Sequence, residues 1–243
     1  MTTLSPFAAA PRLLVGLYAV DVLVALAFAL QLNFGSDSGL IARQLHPGRE
    51  ANIPTWYSSV QWALAGGLLA LYAAHAPKHL KGGLRLYLPA VAAFALSMDE
   101  TAAIHEWIGG RSDELLPGGT REGTFFTGTG IWMLILVPIA VVVAVWISLL
   151  LVDHLRASPW AARLLIAGVA IFLVGAGVVE LASNVATGNR PLQLGIQIVE
   201  ELSEMLGATT VVWGGFVLLR TGGVRIGRVE PDRQTEGDIS PWP

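Results

Sequence analysis

Long apolar stretches alternate with short polar segments along the whole chain. There are six, and they run over Leu13–Leu32, Trp56–His75, Leu86–Ile108, Gly130–Val152, Leu164–Ala186 and Leu194–Leu219. A helix rises about 1.5 Å per residue, so about 20 residues cross the roughly 30 Å hydrocarbon core of a bilayer. A helix also satisfies its own backbone hydrogen bonds in lipid. The pattern therefore predicts an all-α, polytopic membrane bundle of six transmembrane helices.

The same pattern predicts one domain. Residues 1–219 form a single six-helix transmembrane domain, and residues 220–243 form a polar cytoplasmic tail that we expect to be disordered. Glycines favour close contacts between helices. We expect such contacts at Gly66, Gly67, Gly175 and Gly177.

Composition removes the soluble alternatives. Of the 243 residues, 53% are hydrophobic and 14% are charged, with a mean hydropathy of +0.60, whereas about a quarter of the residues in a soluble domain are charged. The chain has no cysteine, which excludes disulfides, thiolate metal ligands and cysteine nucleophiles. A net charge of −3 gives no reason to expect a nucleic-acid partner. The predicted environment is the lipid bilayer.

Basic residues predict the orientation. Ten lie before the first stretch, between the second and third, between the fourth and fifth, and after the sixth: Arg12, Lys78, Lys81, Arg85, Arg156, Arg163, Arg220, Arg225, Arg228 and Arg233. Five lie on the opposite side, namely Arg43, Arg49, Arg111, Arg121 and Arg190. Because cytoplasmic loops carry the excess of Lys and Arg, both termini are predicted to be cytoplasmic, in a multi-pass protein of the inner membrane.

Ionisable residues inside the apolar stretches are the candidate site. The third stretch carries Asp99, Glu100, His105 and Glu106, the fifth carries Glu180, and the sixth carries Glu200, Glu201 and Glu204. An ionised side chain near the bilayer centre costs a few kcal/mol even on the lowest scales, so such residues are usually functional. We therefore expect the seven carboxylates to face the interior of the bundle.

Helical geometry predicts that these carboxylates meet. On a continuous third helix, Asp99 and Glu106 lie about 20° apart, with Glu100 and His105 flanking them on opposite sides. On the sixth helix, the three glutamates follow the i, i+1, i+4 spacing of one polar stripe. The alternating helix directions place Asp99 and Glu180 about 10 Å below the outer surface, and Glu200 to Glu204 about 9–15 Å below it. This coincidence predicts one site in the outer half of the membrane.

The site chemistry follows from its residue types. No Lys or Arg lies within the stretches beside the acids, so protonation, water or bound cations must compensate their charge. Carboxylates with one imidazole suit Fe, Mn or Zn, and the oxygen-rich part also suits Ca²⁺ or Mg²⁺. The predicted ligands of a divalent metal are Asp99, Glu100, His105, Glu106, Glu180, Glu200, Glu201 and Glu204. A hydrated structural network is the alternative.

Several functions are compatible with such a site. The first is a metal-dependent oxidoreductase or hydrolase that acts on a lipid-soluble or periplasmic small molecule, with Glu100 or Glu204 as general base. The second is a cation or proton transporter or channel, although a transport path needs polar groups across the whole membrane. The third is an accessory subunit with membrane protein partners. The paired Glu-x-x-His motifs of di-iron helix bundles are absent.

Two further polar features lie outside this group. His46, Arg49 and Glu50 lie in the external segment before the second stretch, where they could cover the site or form an ordinary capped turn. Asp21 is isolated in the first stretch, and we expect it to hydrogen-bond to a neighbouring helix.

Three segments carry a resemblance to a protein family. They are Arg49-Glu-Ala-Asn-Ile-Pro-Thr-Trp56, the Met98-Asp-Glu run with His105-Glu106, and Glu200-Glu-Leu-Ser-Glu-Met-Leu-Gly207. Together they resemble a group of uncharacterised bacterial multi-spanning membrane proteins. The resemblance covers most of the chain and implies that the three segments belong together, but it implies no activity.

Overall fold

The computed structural model describes residues 12–34, 39–45, 52–76, 80, 82–186 and 188–223, and over these ranges the chain forms helices and turns without a β-strand. The helices are α1 (Arg12–Phe34), α2 (Leu40–Gln44), α3 (Ile53–His75), α4 (Leu88–Ala102), α5 (Ile104–Ser112), α6 (Met133–Leu150), α7 (Val152–Ala157), α8 (Pro159–Leu173), α9 (Glu180–Ser183) and α10 (Arg190–Thr221). A 3-10 turn, Gly83–Tyr87, precedes α4. The predicted all-α class is confirmed for the described residues.

Four helical segments among the described residues are long and apolar enough to cross a membrane: Arg12–Gln31, Trp132–Leu150, Pro159–Ser183 and Arg190–Thr221. They correspond to the first, fourth, fifth and sixth predicted spans. The second predicted span is a helix of 23 residues, α3, but its first half carries Ser58, Ser59 and Gln61. Six spans and cytoplasmic termini therefore remain predictions.

The third predicted span is interrupted. A single helix was expected over Leu86–Ile108, but α4 ends at Ala102 and α5 begins at Ile104. Between them, Ala103 adopts the left-handed conformation with φ of 48°, which is costly for a residue with a Cβ atom. The interruption changes which side chains of this segment face one another.

The fifth predicted span contains a π-helical turn. It follows α8 over Val174–Val179 and leads directly into α9 at Glu180. The turn contacts α10 closely, since a Cβ added to Gly175 would lie 2.9 Å from Cβ of Ser203. π-Helical turns often occur at functional sites because they displace the residues that follow.

Glycines set the close crossing of α8 and α10. A Cβ on Gly168 would lie 2.7 Å from the backbone nitrogen of Val211, and one on Gly207 would lie 2.7 Å from that of Phe172. The expected close contacts are confirmed at Gly66, Gly175 and Gly177, whereas at Gly67 nothing lies within 4 Å. Helix α3 packs against α4 and α10 around a buried core that includes Trp62, Ala65, Leu69, Tyr72, Ala90, Ala208 and Val212.

Candidate functional site

Asp99 and His105 form a hydrogen-bonded pair across the α4–α5 interruption. Oδ2 of Asp99 lies 2.9 Å from Nδ1 of His105, and its Oδ1 accepts a 2.9 Å hydrogen bond from the backbone N–H of His105. The backbone oxygen of Asp99 accepts a 2.7 Å bond from the N–H of Ala103. Asp99 therefore ends one helix and caps the next. The expectation that Asp99 lies beside Glu106 on one continuous helix face, with His105 to one side, is wrong for this reason.

Trp132 contacts the histidine from the start of α6. The centroids of the two rings are 5.4 Å apart at an interplanar angle of 43°. A Cβ on Gly109 would lie 3.0 Å from the Trp132 ring, so this glycine lets the indole approach α5. The imidazole is therefore held by Asp99 on one ring nitrogen and by an aromatic contact.

Glu180 links α9 to the other two acidic segments. Its carboxylate lies within electrostatic range of Glu200 and Glu106, and of the opposite charges of His105 and Arg121. Its position follows from the π-helical turn that ends at the preceding residue. Glu180 is therefore within electrostatic range of charged residues from the third and sixth predicted spans.

Glu204 lies where the acidic residues are densest. It is within electrostatic range of Glu100, Glu180, Glu200 and Glu201, so carboxylates from α4, α9 and α10 influence one another. Its Cγ atom lies 3.4 Å from the Cβ position of a substituted Gly175, which places it against the π-helical turn. The seven predicted site residues other than Glu106 are half-buried, and Glu106 is exposed.

Electrostatic proximity is not ligand geometry. Within the described ranges, no three His, Asp or Glu side chains are grouped in a way that could hold a metal ion. Electrostatic range links several of the acids pairwise, but the described side chains do not converge on a common point. His46, Arg49 and Glu50 lie outside the residues that the structure describes.

Arg121 is a basic residue within electrostatic range of Glu180, which the sequence did not predict. It lies in the loop between α5 and α6, where its Nε donates a 2.6 Å hydrogen bond to Oδ2 of Asp113 and its Nη1 donates a 3.4 Å bond to the oxygen of Gly128. The expected lack of basic residues within the apolar stretches holds, but this loop brings a positive charge into the range of Glu180. No local pattern around Arg121 indicates this role.

Asn184 attaches the same loop to the end of α9. Its Oδ1 accepts hydrogen bonds from the backbone N–H groups of Gly128, at 2.8 Å, and Thr129, at 3.2 Å. Its Nδ2 donates to the hydroxyl of Thr129 at 3.3 Å and to the oxygen of Leu181 at 3.2 Å. Asn184 therefore joins the α5–α6 loop to the end of α9.

A groove lies at the end of α3 that is predicted to be external. It encloses about 420 Å³ and is lined by Gln44, Asn52, Ile53, Thr55, Trp56 and Thr101. Thr101 follows Glu100 on α4, so the groove lies next to one of the acids around Glu204. We call Glu100, Glu180, Glu200, Glu201 and Glu204 the acidic region. The side chain of Asn52 caps α3 through a 3.0 Å bond from the N–H of Thr55, which fixes one wall.

Asp21 forms a second polar cluster, between α1, α3 and α10. Its Oδ1 accepts hydrogen bonds from the hydroxyl of Tyr57 at 3.0 Å and from Nε2 of Gln61 at 2.8 Å. The same Nε2 lies 2.6 Å from the hydroxyl oxygen of Thr209. The expected bond from Asp21 to a neighbouring helix is confirmed. Asp21 is fully buried, and so is Gln61, with 1% of its surface exposed.

Comparison with known proteins gives a family but no activity. No curated protein and no solved structure matches the chain. A family model described as "Domain of unknown function (DUF8692)" matches residues 16–219, which includes both polar clusters and all but the chain ends. This agrees with the resemblance to an uncharacterised group. The chain therefore belongs to the family of the domain of unknown function DUF8692.

Proposed function

We propose that this protein is an integral membrane protein of the inner membrane with six spans and both termini in the cytoplasm. Four apolar helices support the membrane environment. The distribution of ten basic residues against five supports the orientation. Helix α3 and the α4–α5 pair would supply the remaining two spans, with their polar residues turned away from lipid.

Within this bundle, the protein would bind a divalent transition metal at the acidic region. The observation that carries this proposal is the set of carboxylates from α4, α9 and α10 within electrostatic range of Glu204. Like charges so close together in a half-buried region need compensation. A bound cation supplies it. Because no three ligands converge as they stand, binding would draw the flexible glutamate side chains together by rotation about their χ angles.

The Asp99–His105 pair supports Fe, Mn or Zn rather than Ca²⁺ or Mg²⁺. A histidine that binds a metal through one ring nitrogen usually hydrogen-bonds to a carboxylate or carbonyl through the other. Here Oδ2 of Asp99 holds Nδ1, so a metal would bind through Nε2. The proposed ligands are then His105, Glu180, Glu200 and Glu204, with Asp99 as a positioning residue. Glu100, Glu106 and Glu201 would tune the local charge.

The proposed activity is a metal-dependent oxidation or hydrolysis of a lipid-soluble or periplasmic small molecule. The bound metal would supply Lewis-acid or redox chemistry. Glu100 or Glu204 would accept a proton as general base. The groove beside Thr101 offers a small molecule a route to this region.

Metal analysis of the purified, full-length protein tests the proposal. We expect about one or two equivalents of Fe, Mn or Zn after reconstitution, and loss of metal in Glu180→Gln/Glu204→Gln. Glu122→Gln is the matched control, since Glu122 is exposed in the loop, and it should keep the metal. Asp99→Asn should lower the metal affinity by about 10- to 100-fold. A folded wild-type protein that binds none of these metals would overturn the proposal.

Cation or proton transport is the second candidate function. One observation favours it: Gln61 contacts the backbone oxygen of Met205 at 3.4 Å, the residue next to Glu204. The Asp21 cluster therefore contacts α10 one residue after Glu204, although the two groups share no side chain. Cation-driven flux into proteoliposomes that Asp21→Asn abolishes would favour transport over enzymatic activity.

A further inference from the structure

We propose that Asp21, Gln61 and Ser58 form a binding site for a monovalent cation, with Na⁺ as the ion to test. Among the described residues, three buried oxygen atoms have no hydrogen-bond partner: Oδ2 of Asp21, Oε1 of Gln61 and Oγ of Ser58. The side chains of Asp21 and Gln61 contact each other, and Ser58 lies one helical turn before Gln61 on α3. All three residues expose 2% of their surface or less. A buried polar atom without a partner is costly, so three together indicate an occupant.

The hydrogen bonds around Asp21 also involve fewer donor hydrogens than acceptor atoms. Tyr57 has one hydroxyl hydrogen but faces two acceptors, Oδ1 of Asp21 at 3.0 Å and the oxygen of Leu17 at 3.1 Å. The amide of Gln61 has two hydrogens but faces Asp21, Thr209 and the oxygen of Met205. The hydroxyls of Thr209 and Ser58 supply one further hydrogen each, but when the unpartnered oxygens are counted, the acceptor atoms of this region still outnumber the hydrogens. A region with surplus lone pairs attracts a cation.

The orientation of the Gln61 amide supports this reading. At Nε2, the partners include a carboxylate oxygen and a backbone oxygen, both of which only accept hydrogen bonds. A flipped amide would place two acceptors against each other, so Nε2 must face Asp21 and Met205. Oε1 is then the atom left without a partner, and it lies on the same side chain that contacts the carboxylate.

Charge selects a monovalent ion. Asp21 is the one carboxylate among the described residues that contact one another here, the others being Tyr57, Gln61, Thr209 and Met205. Ser58, one turn before Gln61, adds no charge. One bound monovalent cation neutralises it. A divalent ion would leave a net charge buried between helices, at a large cost in free energy. Carboxylate, amide and hydroxyl oxygens are the donors that hard cations prefer.

This site is separate from the acidic region, and it joins three helices. Asp21 belongs to α1, Ser58 and Gln61 to α3, and the amide of Gln61 reaches α10 at Thr209. A cation held by α1 and α3 would stabilise the native bundle but not the unfolded chain. The melting temperature should therefore rise with cation concentration until the site is saturated.

The test measures the melting temperature of the full-length protein in detergent while NaCl replaces choline chloride at constant ionic strength. A chelator removes divalent ions. The wild-type protein should show a saturable rise, and Asp21→Asn should show none. Ser58→Ala should raise the half-saturating Na⁺ concentration about tenfold. Glu180→Gln/Glu204→Gln should retain the wild-type response, which distinguishes this site from the acidic region.

Ser59→Ala is the matched control. Ser59 is the neighbouring buried serine, but its hydroxyl donates a 2.8 Å hydrogen bond to the oxygen of Ser97. This variant should melt at a lower temperature and keep the wild-type half-saturating concentration. If Asp21→Asn does not fold, the half-saturating Na⁺ concentrations of Ser58→Ala and Ser59→Ala decide whether the site exists. A wild-type melting temperature that follows pH but not Na⁺ would show a proton as occupant and overturn the proposal, as would equal responses of both serine variants.

Discussion

At the scale of single residues, Asp99 determines how the third predicted span is built. Its side chain binds both the backbone and the ring of His105, and its carbonyl binds the N–H of Ala103. These hydrogen bonds offset the free-energy cost of the left-handed conformation of Ala103. They also orient the one histidine among the proposed ligands, so the same residue stabilises the interruption and prepares the site.

Replacing Ala103 by glycine should stabilise the protein. With φ of 48°, Ala103 has a conformation that costs a residue with a Cβ atom about 1–2 kcal/mol and glycine very little. We expect Ala103→Gly to raise the free energy of unfolding by about 1 kcal/mol, measured by denaturant titration in detergent. Part of the gain is lost to the greater freedom of glycine in the unfolded chain.

The matched control for this prediction is Ala95→Gly. Ala95 is exposed in the interior of α4, where glycine lowers helix stability by about 1 kcal/mol. Opposite signs for the two variants would establish the interruption at Ala103. Destabilisation by both would contradict it.

At the scale of helices, the acidic region depends on how closely α8 and α10 approach. Gly168 and Gly175 lie seven residues apart on one side of the crossing, as Gly207 and Gly214 do on the other. Two helical turns separate the members of each pair, so they lie on one face and let the backbones meet. The same close approach positions Glu200 and Glu204. The backbone oxygen of Glu200 lies 3.2 Å from the Cβ position of Gly175, and Cγ of Glu204 lies 3.4 Å from it.

Gly207→Ala should be strongly destabilising. Its Cβ would lie 2.7 Å from the nitrogen of Phe172 and 2.8 Å from the oxygen of Gly168, and backbone atoms cannot move away as a side chain can. We expect a loss of about 3 kcal/mol in the free energy of unfolding, measured by denaturant titration.

Gly195→Ala on the same helix is the control for Gly207→Ala. Nothing lies within 4 Å of its Cβ position, so the substitution should stabilise α10 by up to about 1 kcal/mol. A tolerated Gly207→Ala would show that the two helices are farther apart than the structure has them.

At the scale of the whole molecule, the loop between α5 and α6 packs on the helices rather than extending from them. Asn184 binds its backbone, and Trp132 packs on α5 where the loop leads into α6. The loop also brings Arg121 near Glu180. The acidic region is therefore bordered by a segment that hydropathy alone assigns to the exterior.

Single cysteines test the proposed orientation across α6, because the chain has no cysteine of its own. Glu122 and Asp153 are both exposed. Glu122 precedes α6 and Asp153 follows it, so the two residues flank opposite ends of the helix. A membrane-impermeant maleimide should label Glu122→Cys in intact cells and Asp153→Cys only after permeabilisation. The reverse pattern would place both termini outside, and labelling of both in intact cells would contradict a spanning α6.

The helical class could be predicted from the sequence, and so could the presence of acids within the apolar stretches. A short window of sequence is enough to measure the length of an apolar stretch and to identify the carboxylates within it. The interruption at Ala103 could not be predicted, since no glycine or proline marks it and the bonds that stabilise it come from Asp99 and His105. The π-helical turn could not be predicted either, since Gly175 within it packs against α10, and no local pattern contains that contact.

The sequence by itself determined that this is a helical protein with acids inside apolar stretches, because hydropathy and helical period are properties of neighbouring residues. Only the tertiary structure decided which polar groups meet. Asp21 reaches Gln61 across 40 residues, and Gln61 reaches Thr209 across 148. Such pairs depend on how helices cross, and the crossing depends on the summed packing of many side chains, which no local pattern contains.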